Sequence, residues 1–338
     1  MKRSRRSSPK TGSPAAILDT IYAFRPARVL LTAFEMDVFS AIAGGAGTSV
    51  EIAELIHANV RATDRLLNAL CAMGFLRKRG TSFRNTPLTA RSLVRGKPGY
   101  LAGIGHSLGL WDTWSTLTEA VRAGTSVARR RPTNDRGPDW LEYFIAAMHM
   151  RARQQAPVIA GLIDLRGVTR MLDVGGGSGA FAMSFARRKK QLTSTVFDLP
   201  NVVPLTQQYV AQEGLTDRVT TMAGDYTADT LGKGYDLVFL SAIIHSNGTA
   251  ANRQLIRKAA DALNPGGRVV ILDHVMNKDR TEPLAGALFA LNMLVGTAEG
   301  DTYTLDEVRG WMHEAGLARV GITPTPFGAT LVVGSKKV

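Results

Sequence analysis

The sequence predicts a two-part protein: an all-helical winged-helix module, then an α/β domain whose parallel sheet ends in a reversed hairpin. Three observations predict it. Met171-Leu-Asp-Val-Gly-Gly-Gly-Ser-Gly-Ala-Phe-Ala182 reads as a buried strand, a glycine turn and a helix start. From about residue 168 onward, strand-like and helix-like stretches alternate, the pattern of a parallel sheet with helices on both faces. Residues 48–87 read as helix, turn, helix and two-stranded wing.

In chain order, residues 15–24 and 27–43 carry apolar side chains at helical spacing. Thr48-Ser-Val-Glu51 is a capping box in front of Ile52-Ala-Glu-Leu-Ile56. Thr63 or Asp64 is expected to cap a second helix bearing Leu66, Leu67, Leu70 and Met73, which Gly74 ends. The wing follows over 75–87, turning at Gly80-Thr81. Residues 106–165 read as connecting helices rich in Trp, Phe and Met, interrupted by a basic, Pro-containing loop over 128–138. Strands are expected at 169–174, 193–198, 218–223, 235–242 and 267–273, with helices at 178–189, 202–213 and 250–263. Asn264-Pro-Gly-Gly267 stops the last helix. Residues 318–324 and 329–335 are two strands joined by a short turn, so they pair antiparallel and reverse the edge of the sheet.

Composition narrows the function classes. At 338 residues the chain has room for two domains. The boundaries expected are a disordered basic tail over 1–14, the winged-helix module over 15–105, a helical linker over 106–165 and the α/β domain over 166–338. No apolar run reaches the roughly 18–20 residues of a membrane span, and no apolar stretch follows the N-terminal arginines as in a signal peptide. The single cysteine, Cys71, excludes an intrachain disulfide and a multi-cysteine metal site, and the histidines show no metal spacing. A cytoplasmic location is therefore expected. The net charge of +13 raises nucleic acid as a partner, but Lys2, Arg3, Arg5, Arg6 and Lys10 concentrate five positive charges in the tail. A further basic knot is Arg129-Arg130-Arg131.

The glycines follow D-x-G-x-G-x-G rather than a strict dinucleotide fingerprint. Asp198 ends the second strand of the α/β domain, placed to accept hydrogen bonds from ribose hydroxyls. Asp225, beside Tyr226, ends the third, where a carboxylate can meet an adenine amino group. Carboxylates without a phosphate-binding basic cluster suit a nucleoside ligand that lacks phosphate, and S-adenosylmethionine (SAM) is such a ligand. His245 follows the fourth strand, where α/β sites form, and a histidine suits proton removal near neutral pH.

Leu172-Asp-Val-Gly-Gly-Gly-Ser-Gly179, Val196-Phe-Asp-Leu-Pro-Asn201, Gly224-Asp225, Ile243-Ile-His245 and Pro265-Gly-Gly-Arg-Val-Val270 resemble, in order, the motifs of SAM-dependent O-methyltransferases. The subfamily resembled includes caffeate, flavonoid and acetylserotonin enzymes and bacterial antibiotic-tailoring enzymes. The resemblance spans nearly the whole chain. It implies a Rossmann-like class I SAM-dependent methyltransferase domain, preceded by a winged-helix domain that forms a homodimer. It implies a small, aromatic or polyketide-like acceptor and no metal. It assigns the cofactor to Asp173, Gly175, Gly177, Gly179, Asp198, Leu199, Asp225, Tyr226 and Ser241, the last standing where plant members have lysine. It places His245 as the catalytic histidine and Asp273 as the acid that orients it. The acceptor pocket falls to Phe144, Met148, Arg151, Asn292 and Met293, an apolar slot suited to a planar molecule.

Three positions depart from the family pattern. His245-Ser246-Asn247 replaces the usual His-Asp-Trp, and Thr302 stands where plant members have a second orienting acid. Two other readings stay open here. One is a winged-helix nucleic-acid-binding protein or RNA methyltransferase, against which stand the packing character of residues 62–73 and the lack of a base-amino methylation motif. The other is a SAM-binding relative with altered chemistry.

Overall fold

The computed structural model describes residues 13–128 and 140–338. Nearly all of the basic tail and the Arg129-Arg130-Arg131 knot lie outside those residues. The chain divides into two compact units, residues 1–109 and 110–338.

The first unit carries α1 (Pro14–Tyr22), α2 (Phe24–Glu35), α3 (Val38–Ala43), α4 (Ser49–Leu55), α5 (Val60–Ala72), the wing strands β1 (Leu76–Arg79) and β2 (Ser82–Asn85), and α6 (Pro87–Ser92). The long helix expected over 27–43 is broken at Asp37, whose φ of 54° is left-handed, so α2 and α3 are separate. The capping box forms: the Glu51 N–H donates to Thr48 Oγ1 at 3.3 Å, and the Thr48 N–H to Glu51 Oε2 at 2.9 Å. The cap of α5 differs from expectation. Asn59 Oδ1 accepts the Ala62 N–H at 3.1 Å, while Thr63 is buried inside the helix. A side-chain oxygen ahead of the first turn can reach the free N–H groups, whereas Thr63 already faces the core. The wing pairs antiparallel about Gly80, and Phe83 from it packs with Phe39, Ile52, Leu67 and Leu70.

The second unit holds α7 (Ile104–Trp114) from residue 110 on, α8 (Leu117–Ala123) and α9 (Trp140–Leu162), then β3 (Arg170–Val174), α10 (Ala180–Arg188), β4 (Thr193–Asp198), α11 (Val203–Gln212), β5 (Val219–Ala223), β6 (Tyr235–Ser241), α12 (Thr249–Asp261) and β7 (Leu263–Asp273). After these come β8 (Val275–Met276), α13 (Leu284–Gly296), β9 (Tyr303–Thr304), α14 (Leu305–Glu314), β10 (Leu317–Pro324) and β11 (Thr330–Lys336). The main sheet runs β10-β11-β7-β6-β3-β4-β5. Strands β3 to β7 are parallel; at one edge β11 runs antiparallel beside β7 and pairs with β10 in the expected hairpin, so β11 alone runs against the rest.

Both faces of the sheet are covered, which is why the strands read as apolar runs. Met171, Leu237, Phe239, Val270 and Leu272 pack on one side with Phe181, Phe185 and α9 residues Ala156, Ile159 and Ala160. Leu172, Val174, Val238, Leu240, Val269 and Ile271 pack on the other with Leu255, Ile256, Trp311 and Met312. The two sets alternate along each strand, the period-two signature of a pleated sheet. Residues 110–165, expected as a linker, belong to the same compact unit as the sheet.

Candidate active site

The chain enters the sheet at β3, adds β4 and β5 on one side, then β6 and β7 on the other. This reversal opens a crevice outside the carboxyl ends of β3 and β6, where ligands of α/β proteins bind. The glycine turn leaves β3 there. Gly175 is required twice over: its φ is 63°, and a Cβ would run into the side chain of Ile243. The glycine turn and the segment leading to His245 therefore lie against each other. Gly179 is the N-cap of α10, so the first N–H groups of that helix open toward the turn.

Asp198 stands beside the turn at the end of β4. Its Oδ2 accepts the Gly177 N–H at 2.7 Å and its Oδ1 the Leu199 N–H at 2.8 Å. Burial pushes its carboxyl up, and those two N–H groups oppose the shift. Each oxygen keeps a lone pair for a ligand. Leu199 is exposed. Two residues past the end of β5, which stops at Ala223 rather than running on to Asp225, Asp225 Oδ1 accepts from the backbone and hydroxyl of Thr227 at 2.8 and 2.7 Å, and no hydrogen bond from the described residues reaches Oδ2. Tyr226 donates its hydroxyl to Asn247 Oδ1 at 3.0 Å. Ser241 ends β6, half-buried.

Asp173 does not sit on the surface of the crevice. It is fully buried under the turn, where a Cβ on Gly176 would lie 2.8 Å from its carboxyl carbon. Neither of its oxygens has a hydrogen-bond partner among the described residues. Burial pushes its pKa up to about 7, the Asp198 charge adds to this, and the Ala182 amide, short of hydrogen-bond geometry, offsets only part. A carboxyl whose folded pKa is raised binds more protons in the folded than in the unfolded chain between the two values. The ligand-free fold is thus expected to lose stability as pH rises from about 4 toward about 7. Asp173→Asn should remove that loss, read as melting temperature against pH; an unchanged slope would mean that Asp173 does not titrate there.

After β6, Ala242 takes a φ of 56° and turns the chain into a single 3-10 turn, Ile244–Ser246, that carries His245. His245 Nδ1 lies 2.9 and 3.0 Å from the two oxygens of Asp273, at the end of β7. Burial would raise the Asp273 carboxyl, but the His245 imidazole and the His274 N–H outweigh it and hold it below the ordinary value. An ionised Asp273 only accepts, so Nδ1 of the neutral imidazole carries the hydrogen and Nε2 is its basic nitrogen. Phe289 packs edge-on against the His245 ring, with centroids 4.8 Å apart. Thr302 is buried, and its hydroxyl turns to the Gly286 carbonyl at 3.4 Å.

Of the expected pocket residues, Phe144, Met148 and Arg151 lie at positions i, i+4 and i+7 of α9, one face of the helix. Phe144 stacks on Trp140 at 5.4 Å. Asn292 and Met293 lie on α13, where Asn292 Oδ1 accepts from Trp114 Nε1 at 2.8 Å. Sequence reasoning passed over three neighbours. His149 Nδ1 meets Ser178 Oγ of the glycine turn at 2.9 Å, and its ring stacks on Tyr209 at 4.2 Å. His274 is buried, and its ring lies 4.8 Å from that of Phe289. Their only sequence signals are adjacency to Met148 and Asp273 for the two histidines, and one-turn spacing from Asn292 for Phe289.

Comparison with known proteins shows the family. Residues 114–318 match the O-methyltransferase domain, and residues 18–95 match the O-methyltransferase dimerisation domain. The chain belongs to the O-methyltransferase family. This methyltransferase is 34% identical to 3-hydroxy-5-methyl-1-naphthoate 3-O-methyltransferase of Streptomyces sahachiroi, over 92% of each chain. It is 32% identical to the tetracenomycin polyketide synthesis 8-O-methyl transferase TcmO of Streptomyces glaucescens, over 96% of this chain and 97% of that one. Its fold superposes on an O-methyltransferase family protein from Burkholderia thailandensis with a TM-score of 0.84 at 28% identity, covering 96% and 98% of the two chains. SAM is the methyl donor of this enzyme family. Among the described residues, no helix of the methyltransferase is long and apolar enough to cross a membrane, and no cluster of His, Cys, Asp or Glu could hold a metal ion.

Proposed function

We propose that this methyltransferase transfers the methyl group of SAM to a hydroxyl of a small hydroxylated aromatic molecule of polyketide type, with His245 taking the proton. The observation that carries the reading is the His245–Asp273 pair, on a turn lying against the glycine turn at the mouth of the sheet. The residues present fit the donor. Gly175, Gly177 and Gly179 let a ligand lie on the backbone, Asp198 has lone pairs for the ribose hydroxyls, and Asp225 Oδ2 is open to an adenine amino group. Leu199, Tyr226 and Ser241 would line the same crevice. Asp198 beside the turn favours a cation laid on the glycines.

When bound, the donor supplies an electrophilic methyl group on a sulfonium sulfur. The protein's part is to align the acceptor oxygen, exclude water and receive a proton. Asp273 holds His245 through Nδ1, which leaves Nε2 to receive the acceptor's proton. Phe144, Met148 and Met293 supply apolar contacts to a planar ring, with Asn292 and Arg151 as polar neighbours. The hydroxynaphthoate named for one relative is a hydroxylated aromatic and the other relative is named for tetracenomycin polyketide synthesis, which supports this class of acceptor. Incubation with SAM and a panel of hydroxynaphthoates and polycyclic phenols, read by mass spectrometry, should yield a mono-O-methylated product. SAM turnover confined to amines or RNA would overturn the reading.

The N-terminal unit is read as a dimerisation device rather than a nucleic-acid reader. Its α5 spends Thr63, Leu67 and Leu70 on its own core. Helix α1 buries no residue, and Ile17, Leu18, Ile21, Tyr22 and Phe24 are each 45–57% exposed. Such a row of large apolar side chains suits a second copy of the chain. Light scattering at micromolar concentration should give a dimer, and deleting residues 1–12 should leave it intact because that segment is polar and charged. Ile17→Asp with Ile21→Asp should give a monomer; a wild-type monomer would contradict the assignment.

A further inference from the structure

The departure from His-Asp-Trp at Asn247 has a structural counterpart. Asn247 is 9% exposed and sits at the centre of a buried polar web. Its Oδ1 accepts the Tyr226 hydroxyl at 3.0 Å. Its Nδ2 donates to Asn252 Oδ1 at 3.3 Å, and Asn252 Nδ2 donates to the Ile244 carbonyl at 2.8 Å. The Tyr303 hydroxyl donates to the Asn247 carbonyl. Burial holds the Tyr303 phenol up at about 12, with Asp301 and Glu307 adding to it, so it stays a donor. The Asp301 N–H donates to the His245 carbonyl at 3.0 Å.

These bonds grip the His245 turn on both sides. Ile244 is held before the histidine and Asn247 after it, and His245's own carbonyl is held between them. On the far side, Tyr226 is fixed from the cofactor end. Lys258 Nζ donates to the carbonyls of Tyr226 and Asp229 at 2.8 Å each, and to Thr227 at 3.2 Å. An amide with one oxygen and one NH2 can bridge two polar partners in a way that an indole, a donor only, cannot. Buried networks of this kind hold one geometry because breaking any bond strands a polar group away from water.

We propose that Asn247 is a positioning residue for methyl transfer. It couples Tyr226, on the cofactor side, to the turn that carries His245, so that the histidine is placed by the same contacts that hold the cofactor end of the site. The inference rests on the reading of Tyr226 as a cofactor residue and of His245 as the proton acceptor.

The test is a mutant cycle on the full-length enzyme with SAM and a hydroxynaphthoate as acceptor. Tyr226→Phe removes only the hydroxyl, Asn247→Leu removes the bridge at similar volume, and Asn247→Asp keeps an oxygen opposite Tyr226. Tyr226→Phe and Asn247→Leu should each lower kcat about tenfold, while the KM for acceptor and the Kd for SAM change less than about threefold. The double variant should be no slower than Asn247→Leu, and Asn247→Asp should recover part of the loss. Losses that multiply, or that appear only as raised KM or Kd, overturn the coupling. Should Asn247→Leu fail to fold, Tyr226→Phe decides alone, since wild-type kcat in it overturns the proposal. In a His245→Ala background, Asn247→Leu should cost nothing further. A further loss by the same factor overturns the coupling and leaves the proton-acceptor reading standing. A His245→Ala enzyme near wild-type rate removes that reading and the coupling with it.

Discussion

His245→Ala is expected to lower kcat by roughly 10²–10⁴ while SAM affinity changes little. The expectation comes from geometry. His245 is held by Asp273 through Nδ1 at 2.9 and 3.0 Å, on a turn set against the glycine loop by Gly175 and Ile243. Asp273→Asn should cost less, because it loosens and reorients the imidazole without removing it. Asp273, held below the ordinary carboxylate value, stays ionised at neutral pH. Its lowered pKa also means that its pairing stabilises the fold above the ordinary carboxylate value and is lost only as pH drops further. The competing account is catalysis by alignment alone, for which the departures at Ser246 and Thr302 speak. Under it the alanine variant would lose only a few-fold, and the pH profile would follow the acceptor's own ionisation. Measuring kcat against pH for wild type and both variants with one phenol separates the two accounts.

The second large effect is on cofactor binding. Asp198→Ala should weaken SAM by about 1.5–3 kcal/mol, roughly 10- to 150-fold in Kd, the scale of hydrogen bonds to a charged group. Two losses combine in that figure. The ribose loses its acceptor, and the Gly177 N–H, which Asp198 accepts at 2.7 Å, is released and loosens the turn. Calorimetry should show the wild-type affinity unchanged by chelator, as no metal-binding cluster occurs among the described residues. An Asp198→Ala enzyme that binds SAM as tightly as wild type would remove the ribose assignment, and a loss on chelation would point to a metal.

The sequence by itself determined the parts of this protein that rest on local chemistry. Strand and helix order in the second unit follows from apolar runs, the Asn264-Pro-Gly-Gly267 stop and the glycine turn, each readable within a dozen residues. The placement of Asp198 at the end of β4 and of Asp225 two residues past β5 follows from the same reading, since a βαβ unit delivers each strand end to one edge of the sheet. The capping box at Thr48 and Glu51 is equally local. Only the tertiary structure decided which groups meet across long stretches of chain. Asp273 reaches His245 because β7 lies beside β6, and His149 reaches Ser178 because α9 packs on α10. The web around Asn247 draws on β5's end, α12 and β9 together. The same holds for the break at Asp37 and for Thr63, which turns inward and leaves the cap to Asn59. The physical reason is that hydrogen-bond caps and apolar periods are set by neighbours a few residues apart. Burial and side-chain pairing are set by packing, and packing exists only once the sheet has brought distant segments together.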